Sequence, residues 1–131
     1  NDTIYGGNGN DYIDGGAGND VLWGDAGNDR IIGGAGNDFV VLGLGNDAIS
    51  LGTGDDRVRF DYGNGHDTIY DFGNGRDVID FTATGMTSAV LQANAVETVE
   101  GVLLNVGSGS ILLSGLHLWQ LEWNSDFVFA A

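Results

Sequence analysis

The sequence predicts an all-β protein, a right-handed parallel β-roll (a β-helix solenoid) closed by a C-terminal β-rich cap, and three regularities predict it. Aspartate recurs as Asp2, Asp11, Asp20, Asp29, Asp38, Asp47 and Asp56, at six successive intervals of nine residues. Two places after each stands an aliphatic residue: Ile4, Ile13, Leu22, Ile31, Val40, Ile49 and Val58. Two places before stands a glycine, from Gly9 to Gly54. The unit is G-G-x-G-N-D-x-U-x, with U aliphatic, and self-similarity at a short fixed period marks a stack of coils.

Each element follows from the chemistry of that unit. Three residues such as Val21-Leu22-Trp23 make only a very short strand, which holds only when many copies stack and pair. The glycines make the turn, because they accept positive φ and leave their carbonyls unshielded. Nine residues of turn and strand form half a coil and eighteen a whole one. Aspartates two repeats apart, such as Asp20 and Asp38, then stack at the inter-strand spacing of about 4.8 Å. Two unit charges at that separation repel by about 1 kcal/mol in water and by roughly 3–4 kcal/mol at an effective dielectric constant near 20. An antiparallel meander, with N-D and G-N as turn formers, needs no aspartate at one fixed phase through seven copies.

The repulsion calls for a counterion. Ca²⁺ takes about 6–8 oxygens at roughly 2.3–2.6 Å, and this nonapeptide is itself a known signature of calcium-binding parallel β-helices. The predicted cofactor is therefore Ca²⁺, as several ions. The predicted ligands are the carboxylates of Asp2, Asp11, Asp20, Asp29, Asp38, Asp47 and Asp56, joined by Asp67 and Asp77. Loop carbonyls complete the set: Gly6, Gly7, Asn8 and Gly9, then Gly15, Gly16, Ala17 and Gly18, then Gly24, Asp25, Ala26 and Gly27. The later loops add Gly33, Gly34, Ala35 and Gly36, with Gly43, Gly45, Gly52 and Gly54.

After Asp56 the spacing widens to eleven residues at Asp67 and ten at Asp77, but Ile69 and Ile79 keep the aliphatic phase, so the coil continues with larger loops. Periodicity stops after Phe81, which divides the chain into a repeat roll over 1–81 and a capping segment over 82–131. In the latter, ATGMTSAVLQANA predicts a short helix, and VEGVLLNVGSGSILLSG predicts two strands around Gly107-Ser108-Gly109.

Composition narrows the function. Against 19 acidic residues stand four arginines and no lysine, a formal charge of -15. Nucleic acid is excluded as a partner, because phosphate binding needs a basic patch. Without cysteine the fold uses no disulfide, and no apolar run reaches the roughly 20 residues that span a bilayer. NDTIYGG looks like a repeat cut in its middle, so the chain is expected to be the C-terminal piece of a longer protein. Fifteen of the acidic groups lie in residues 1–80, and their mutual repulsion predicts an expanded chain when calcium is scarce.

No catalytic constellation stands out, and the fragment is expected not to be an enzyme. A glycosidase needs two carboxylates at a fixed separation across a sugar, whereas these aspartates belong to the metal lattice. Ser114, His117 and Asp126 lack any pattern of a triad, and His66 and His117 lack the spacing of a zinc site. On the outward positions, one sheet carries Thr3, Tyr5, Val21, Trp23, Phe39 and Val41 and ends in Arg57 and Arg59. Tyr5, Trp23, Phe39 and Val41 form an apolar stripe that a solvated surface does not ordinarily keep. It is either strand-forming residues without a partner, a docking face for an upstream or tail segment, or an aromatic platform for sugar.

Residues 1–81 resemble the calcium-binding repeats of the repeats-in-toxin (RTX) family of secreted bacterial proteins, and residues 82–131 resemble the tail that follows them. The resemblance implies folding that awaits extracellular calcium, and an uncleaved C-terminal signal read by a type I secretion apparatus. The matching residues are Asp126, Phe127, Val128 and Phe129, which could equally form a last strand. It further implies that the roll supports secretion and folding of a larger exported protein, whose upstream domains are partners. The alternative is a polysaccharide-binding accessory module of a secreted carbohydrate-modifying enzyme. The chain departs from the pattern where Asp25 replaces the second glycine, where Leu42 and Leu51 replace the first, and in the loops before Asp67 and Asp77.

Overall fold

A computed structural model describes residues 1–61 and 65–130. In chain order the strands are β1 (Thr3–Tyr5), β2 (Tyr12–Asp14), β3 (Val21–Trp23), β4 (Arg30–Ala35), β5 (Phe39–Val41), β6 (Ala48–Thr53), β7 (Arg57–Arg59), β8 (His66–Ile69) and β9 (Val78–Asp80). Helix α1 (Ser88–Ala93) follows, then β10 (Ala95–Glu97), β11 (Gly101–Val106), β12 (Gly109–Ser114), a 3-10 turn (Leu118–Gln120) and β13 (Phe127–Val128).

Consecutive strands from β1 to β9 alternate between two sheets, which with the tail strands are ordered β1-β3-β5-β7-β9-β13 and β10-β11-β12-β8-β6-β4-β2. The repeat period sets the register: Ile4 pairs with Leu22, Leu22 with Val40 and Val40 with Val58, all in parallel. One coil is therefore two nonapeptides. The fold is a parallel β-solenoid, and its middle strand positions fill the interior: Ile13, Leu22, Ile31, Val40, Ile49, Val58, Ile69 and Ile79 are all buried. Burial on this scale, at about 25 cal/mol per Å² of apolar surface, is what a three-residue strand lacks alone.

The tail closes the solenoid by extending both sheets. Strand β12 lies parallel beside β8, placing Ile111 against Asp67 in register, and β11 and β10 follow it in antiparallel order. Strand β13 adds to β9 through Phe127 and Ile79. Antiparallel pairing and a three-residue edge strand ending in Glu97 stop further addition. Helix α1 is capped by Thr87, whose hydroxyl accepts the Val90 N–H at 3.4 Å, and it buries Leu91. Aromatic rings fill this end: Phe81 lies 5.8 Å from Phe60, 6.1 Å from Phe127 and 6.0 Å from Phe129, and Trp123 stacks on Phe127 at 5.2 Å.

The outer apolar stripe needs one correction. Tyr5 is exposed and stacks on a half-buried Trp23 at 5.9 Å, but Val41 is only 4% exposed. Its register neighbours are Trp23 and Arg59, and directly opposed large side chains cover a smaller one between them. Val41 is thus part of the packed wall and not of an open face.

Candidate metal centre

The repeat aspartates line the turns at the two edges of the sheets. Asp20, Asp29, Asp38, Asp47, Asp56, Asp67 and Asp77 are all at most 3% exposed. Each anchors itself by one oxygen, Oδ1, which accepts the backbone N–H of the aspartate one coil earlier. Asp38 accepts from Asp20 at 2.8 Å, Asp47 from Asp29 at 2.9 Å, Asp56 from Asp38 at 2.8 Å and Asp67 from Asp47 at 2.9 Å.

The other oxygen has no protein partner. Oδ2 of Asp11, Asp20, Asp29, Asp38, Asp47, Asp56 and Asp67 is buried without a hydrogen bond among the described residues. Natural proteins leave few such atoms, because each costs about 1–3 kcal/mol or more of unreplaced hydration. Seven at one repeat position form a row, not a scatter of defects.

Four of these carboxylates, those of Asp11, Asp20, Asp29 and Asp38, stand beside a gap that the first glycine of the loop keeps open. A Cβ on Gly15 would lie 2.9 Å from Asp20 Oδ2 and 2.6 Å from the Gly33 carbonyl of the next coil. On Gly6 it would meet Asp11 Oδ2 at 3.2 Å and the Gly24 carbonyl at 2.6 Å. On Gly24 and Gly33 it would meet Asp29 Oδ2 at 2.9 Å and Asp38 Oδ2 at 2.7 Å, together with the Leu42 and Leu51 carbonyls. Carboxylate oxygen from one coil and carbonyl oxygen from the next thus face a common space. No cluster of three carboxylate or imidazole groups occurs among the described residues, so main-chain oxygens must supply much of any coordination shell. An all-oxygen, mostly neutral donor set with carboxylate anchors suits Ca²⁺.

The electrostatics agree. Burial raises the carboxyl pKa of Asp29, Asp38 and Asp77, lifts Asp47 and Asp56 to about 6, and lifts Asp67 to about 7. The backbone N–H that each accepts lowers it, and a carboxylate in a neighbouring coil raises it again, as Asp47 does for Asp67. A divalent ion would supply the missing opposite charge.

The predicted ligands separate into groups. Asp11 through Asp67 at repeat phase each present the free oxygen. Asp77 differs, since Oδ1 accepts from Asp56 at 3.1 Å and Oδ2 from Gly73 at 2.8 Å. Asp2 is exposed at the first coil. The carbonyls of Gly7, Gly16, Asp25, Ala26 and Ala35 already accept N–H groups between loops at 2.7–2.9 Å, each keeping a second lone pair. Loop packing is tight enough that a Cβ on Gly27, at φ 143°, would collide with the Gly9 carbonyl.

Three features escape a reading of side chains. The carbonyls of Leu42 and Leu51 face the gaps at Gly24 and Gly33, although both side chains are buried in the core. The asparagine before each aspartate from Asp2 to Asp47 belongs to a second ladder of opposite sense: Oδ1 of Asn10, Asn19 and Asn28 accepts the N–H of Asn28, Asn37 and Asn46, each at 2.9 Å. Its repetition was visible, but its role requires the coil. Asp71, off the repeat phase, accepts from Ser50 Oγ and Leu51 N at 2.7 Å and from Gly52 N at 3.0 Å, and so stitches the widened loop to the coil below.

Other residues weighed for chemistry are engaged elsewhere. His117 Nδ1 lies 2.8 Å from Glu97 Oε1, and Asp126 Oδ2 accepts the Glu122 N–H at 2.7 Å. His66, exposed, places Nδ1 2.9 Å from Ser110 Oγ of β12. Of the four tail residues, Phe127 and Val128 form the last strand, flanked by Asp126 and Phe129, and Phe127 is only 4% exposed.

Comparison with known proteins agrees with this geometry. The family model described as the RTX calcium-binding nonapeptide repeat (4 copies) matches residues 1–22 and 23–58. The crystal structure of the extracellular lipase LipA from Serratia marcescens is similar at 27% identity and a TM-score of 0.84, over 98% of this chain and 21% of that one. The solution structure of the AlgE6R3 subunit from the Azotobacter vinelandii mannuronan C5-epimerase is similar at 28% identity and a TM-score of 0.77, over 97% of this chain and 82% of that one. No curated protein matches. The chain thus spans about a fifth of the lipase, 21% of its length. No helix among the described residues is long and apolar enough to cross a membrane.

Proposed function

Residues 1–58 are RTX calcium-binding nonapeptide repeats, and from that premise we propose that Ca²⁺ binding drives folding of the roll in a secreted bacterial protein. The observation that carries this reading is the row of seven buried, unpartnered Oδ2 atoms. Each Oδ1 needs the coil before it and each gap needs the carbonyl of the coil after it, so no site exists until neighbouring coils stack. Binding free energy then becomes folding free energy, and stability rises with ligand concentration by mass action.

The same carboxylates oppose stacking when calcium is scarce, which leaves an extended chain that a channel can thread. In the extracellular medium calcium is plentiful and the stack closes. In this reading the tail carries a type I secretion signal, and Asp126, Phe127, Val128 and Phe129 are the residues assigned to its recognition. The roll then serves a larger exported protein whose upstream domains carry the activity.

Far-ultraviolet circular dichroism during a calcium titration tests the folding step. A cooperative gain of β signal is expected, and a spectrum already fully β in excess chelator sinks it. Removal of residues 126–129 tests the export step, which predicts retention of the protein inside the cell; undiminished export overturns that part alone.

A further inference from the structure

The dipeptide Asn-Gly occurs three times, as Asn8-Gly9, Asn64-Gly65 and Asn74-Gly75. Asn64 lies outside the described residues, and the other two copies stand in opposite surroundings. At the first, the Gly9 N–H donates to the Ala26 carbonyl at 2.8 Å, and Asn8 bridges Ala26 of the next coil in parallel. Its backbone is bound into the stack. At the second, in the widened loop before Asp77, both residues are exposed and the Gly75 N–H has no acceptor among the described residues. Asn74 is fastened at its side-chain tip, where Nδ2 donates to the Gly52 carbonyl of the coil below.

We infer that Asn74 is a site of spontaneous covalent modification. The Gly75 backbone nitrogen attacks the Asn74 side-chain carbonyl carbon, the amide nitrogen leaves as ammonia with the proton that the attacking nitrogen gives up, and a five-membered succinimide remains. Water then opens the ring to aspartate or to isoaspartate. One water is consumed and one ammonia released, with no oxidation or reduction. Attack needs a free nitrogen and rotation about the Asn74 backbone, and an N–H held in a ladder offers neither until that ladder opens. Asparagine is thermolabile wherever this route is open. Glycine at 75 leaves the nitrogen unhindered, and the roll cannot exchange it, because a Cβ there would collide with the Gly54 carbonyl. Packing thus imposes the reactive dipeptide.

The product does not fit the loop as the amide does. A side-chain amide donates and accepts, whereas a carboxylate only accepts. Conversion deletes the donor to Gly52, sets oxygen against oxygen, and adds a negative charge to a loop already tied to two carboxylates: Gly73 N donates to Asp77 Oδ2 at 2.8 Å and Arg76 N to Asp55 Oδ1 at 3.0 Å. Isoaspartate also lengthens the main chain by a carbon atom. The widened loop lifts from the coil below, while the regular loops keep their register.

The test holds calcium-saturated protein, its fold confirmed by circular dichroism, in mildly alkaline buffer at physiological temperature. Tandem mass spectrometry of its peptides follows amide-to-acid conversion at each Asn-Gly, with the chain in concentrated urea as the unfolded reference. Asn74 is expected to convert in the folded protein at close to its rate in urea, and Asn8 several-fold more slowly than in urea. An Asn74 that stays amide in the folded roll while converting in urea overturns the proposal, as does an Asn8 that converts as fast as Asn74 in the folded roll. Asn74→Asp carries the product's charge without the reaction, and should speed amide exchange at Gly73 and Arg76 several-fold. Unchanged exchange at both overturns the release of the loop.

Discussion

The coils up to Asp38 and the chain that follows them share the same two sheets but differ in what fills their loop edges. In the first, position one of four loops is glycine (Gly6, Gly15, Gly24, Gly33), and a Cβ there would crowd a carboxylate oxygen and a carbonyl. In the second, Leu42, Leu51 and Phe60 follow the buried aliphatic by the same two places and are buried in the core, as is Phe72 in a widened loop. The N-terminal coils leave space for ions at their edges. The C-terminal coils fill theirs with apolar side chains, and the aromatic cluster around Phe81 and Phe127 completes them. One chain therefore carries a carboxylate-lined lattice with open gaps and an apolar end against which it stacks.

The strongest way to break this contrast is to remove the metal and follow amide exchange strand by strand. In excess chelator, β1 to β6 should exchange as unprotected amides, while β11 and β12, paired along six positions each and lined by Val102, Leu104, Ile111 and Leu113, should stay protected longest. Uniform loss or uniform retention across the two regions contradicts the division.

A sharper comparison sets two glycines against each other. At Gly33 φ is ordinary and only space forbids a side chain, since a Cβ would lie 2.7 Å from Asp38 Oδ2. Gly33→Ala should remove calcium from that gap and destabilise the loaded roll by about 1–3 kcal/mol through overpacking. At Gly73, φ is +89° and a Cβ meets nothing within 4 Å. There Gly73→Ala should cost about 1–2 kcal/mol in backbone strain with the calcium count unchanged. Calcium stoichiometry of the two variants separates the cases, and equal counts remove the role assigned to the gap.

Much of this was legible in the sequence, for a physical reason. In a solenoid, neighbours in space sit at a fixed separation in sequence, so Asp20 over Asp38 and Leu22 over Val40 could be read by counting. The wider loops and the cap obey no such rule. The short helix and the Gly107-Ser108-Gly109 turn were visible as local patterns, but the parallel seat of β12 beside β8 depends on a long-range match that no period announces. Carbonyl ligands are hidden for another reason. Every residue has a carbonyl, so Leu42 and Leu51 looked like departures when only their side chains depart. Val41 was misjudged because strand alternation gives direction, whereas Trp23 and Arg59 on either side determine cover.

The smallest expected effect comes from substituting protons for metal. Burial, reinforced by neighbouring carboxylates, puts Asp47 and Asp56 at about 6 and Asp67 at about 7 in the folded roll, above the value near 3.9 of an unfolded aspartate. A group raised on folding contributes stability that is fully present below its unfolded pKa and lost as pH rises through its folded one. The metal-stripped chain should therefore gain β signal as pH falls from about 7.5 toward 5, since protonation relieves the stacked charges. The calcium-loaded chain should move the other way, its calcium midpoint rising as protons compete for the same oxygens. A proton removes one charge but bridges no coils, so the acid-induced gain stays below that produced by calcium. Circular dichroism of stripped and loaded protein over this window checks both signs, and a stripped chain that loses β signal on acidification contradicts the stacked-carboxylate picture.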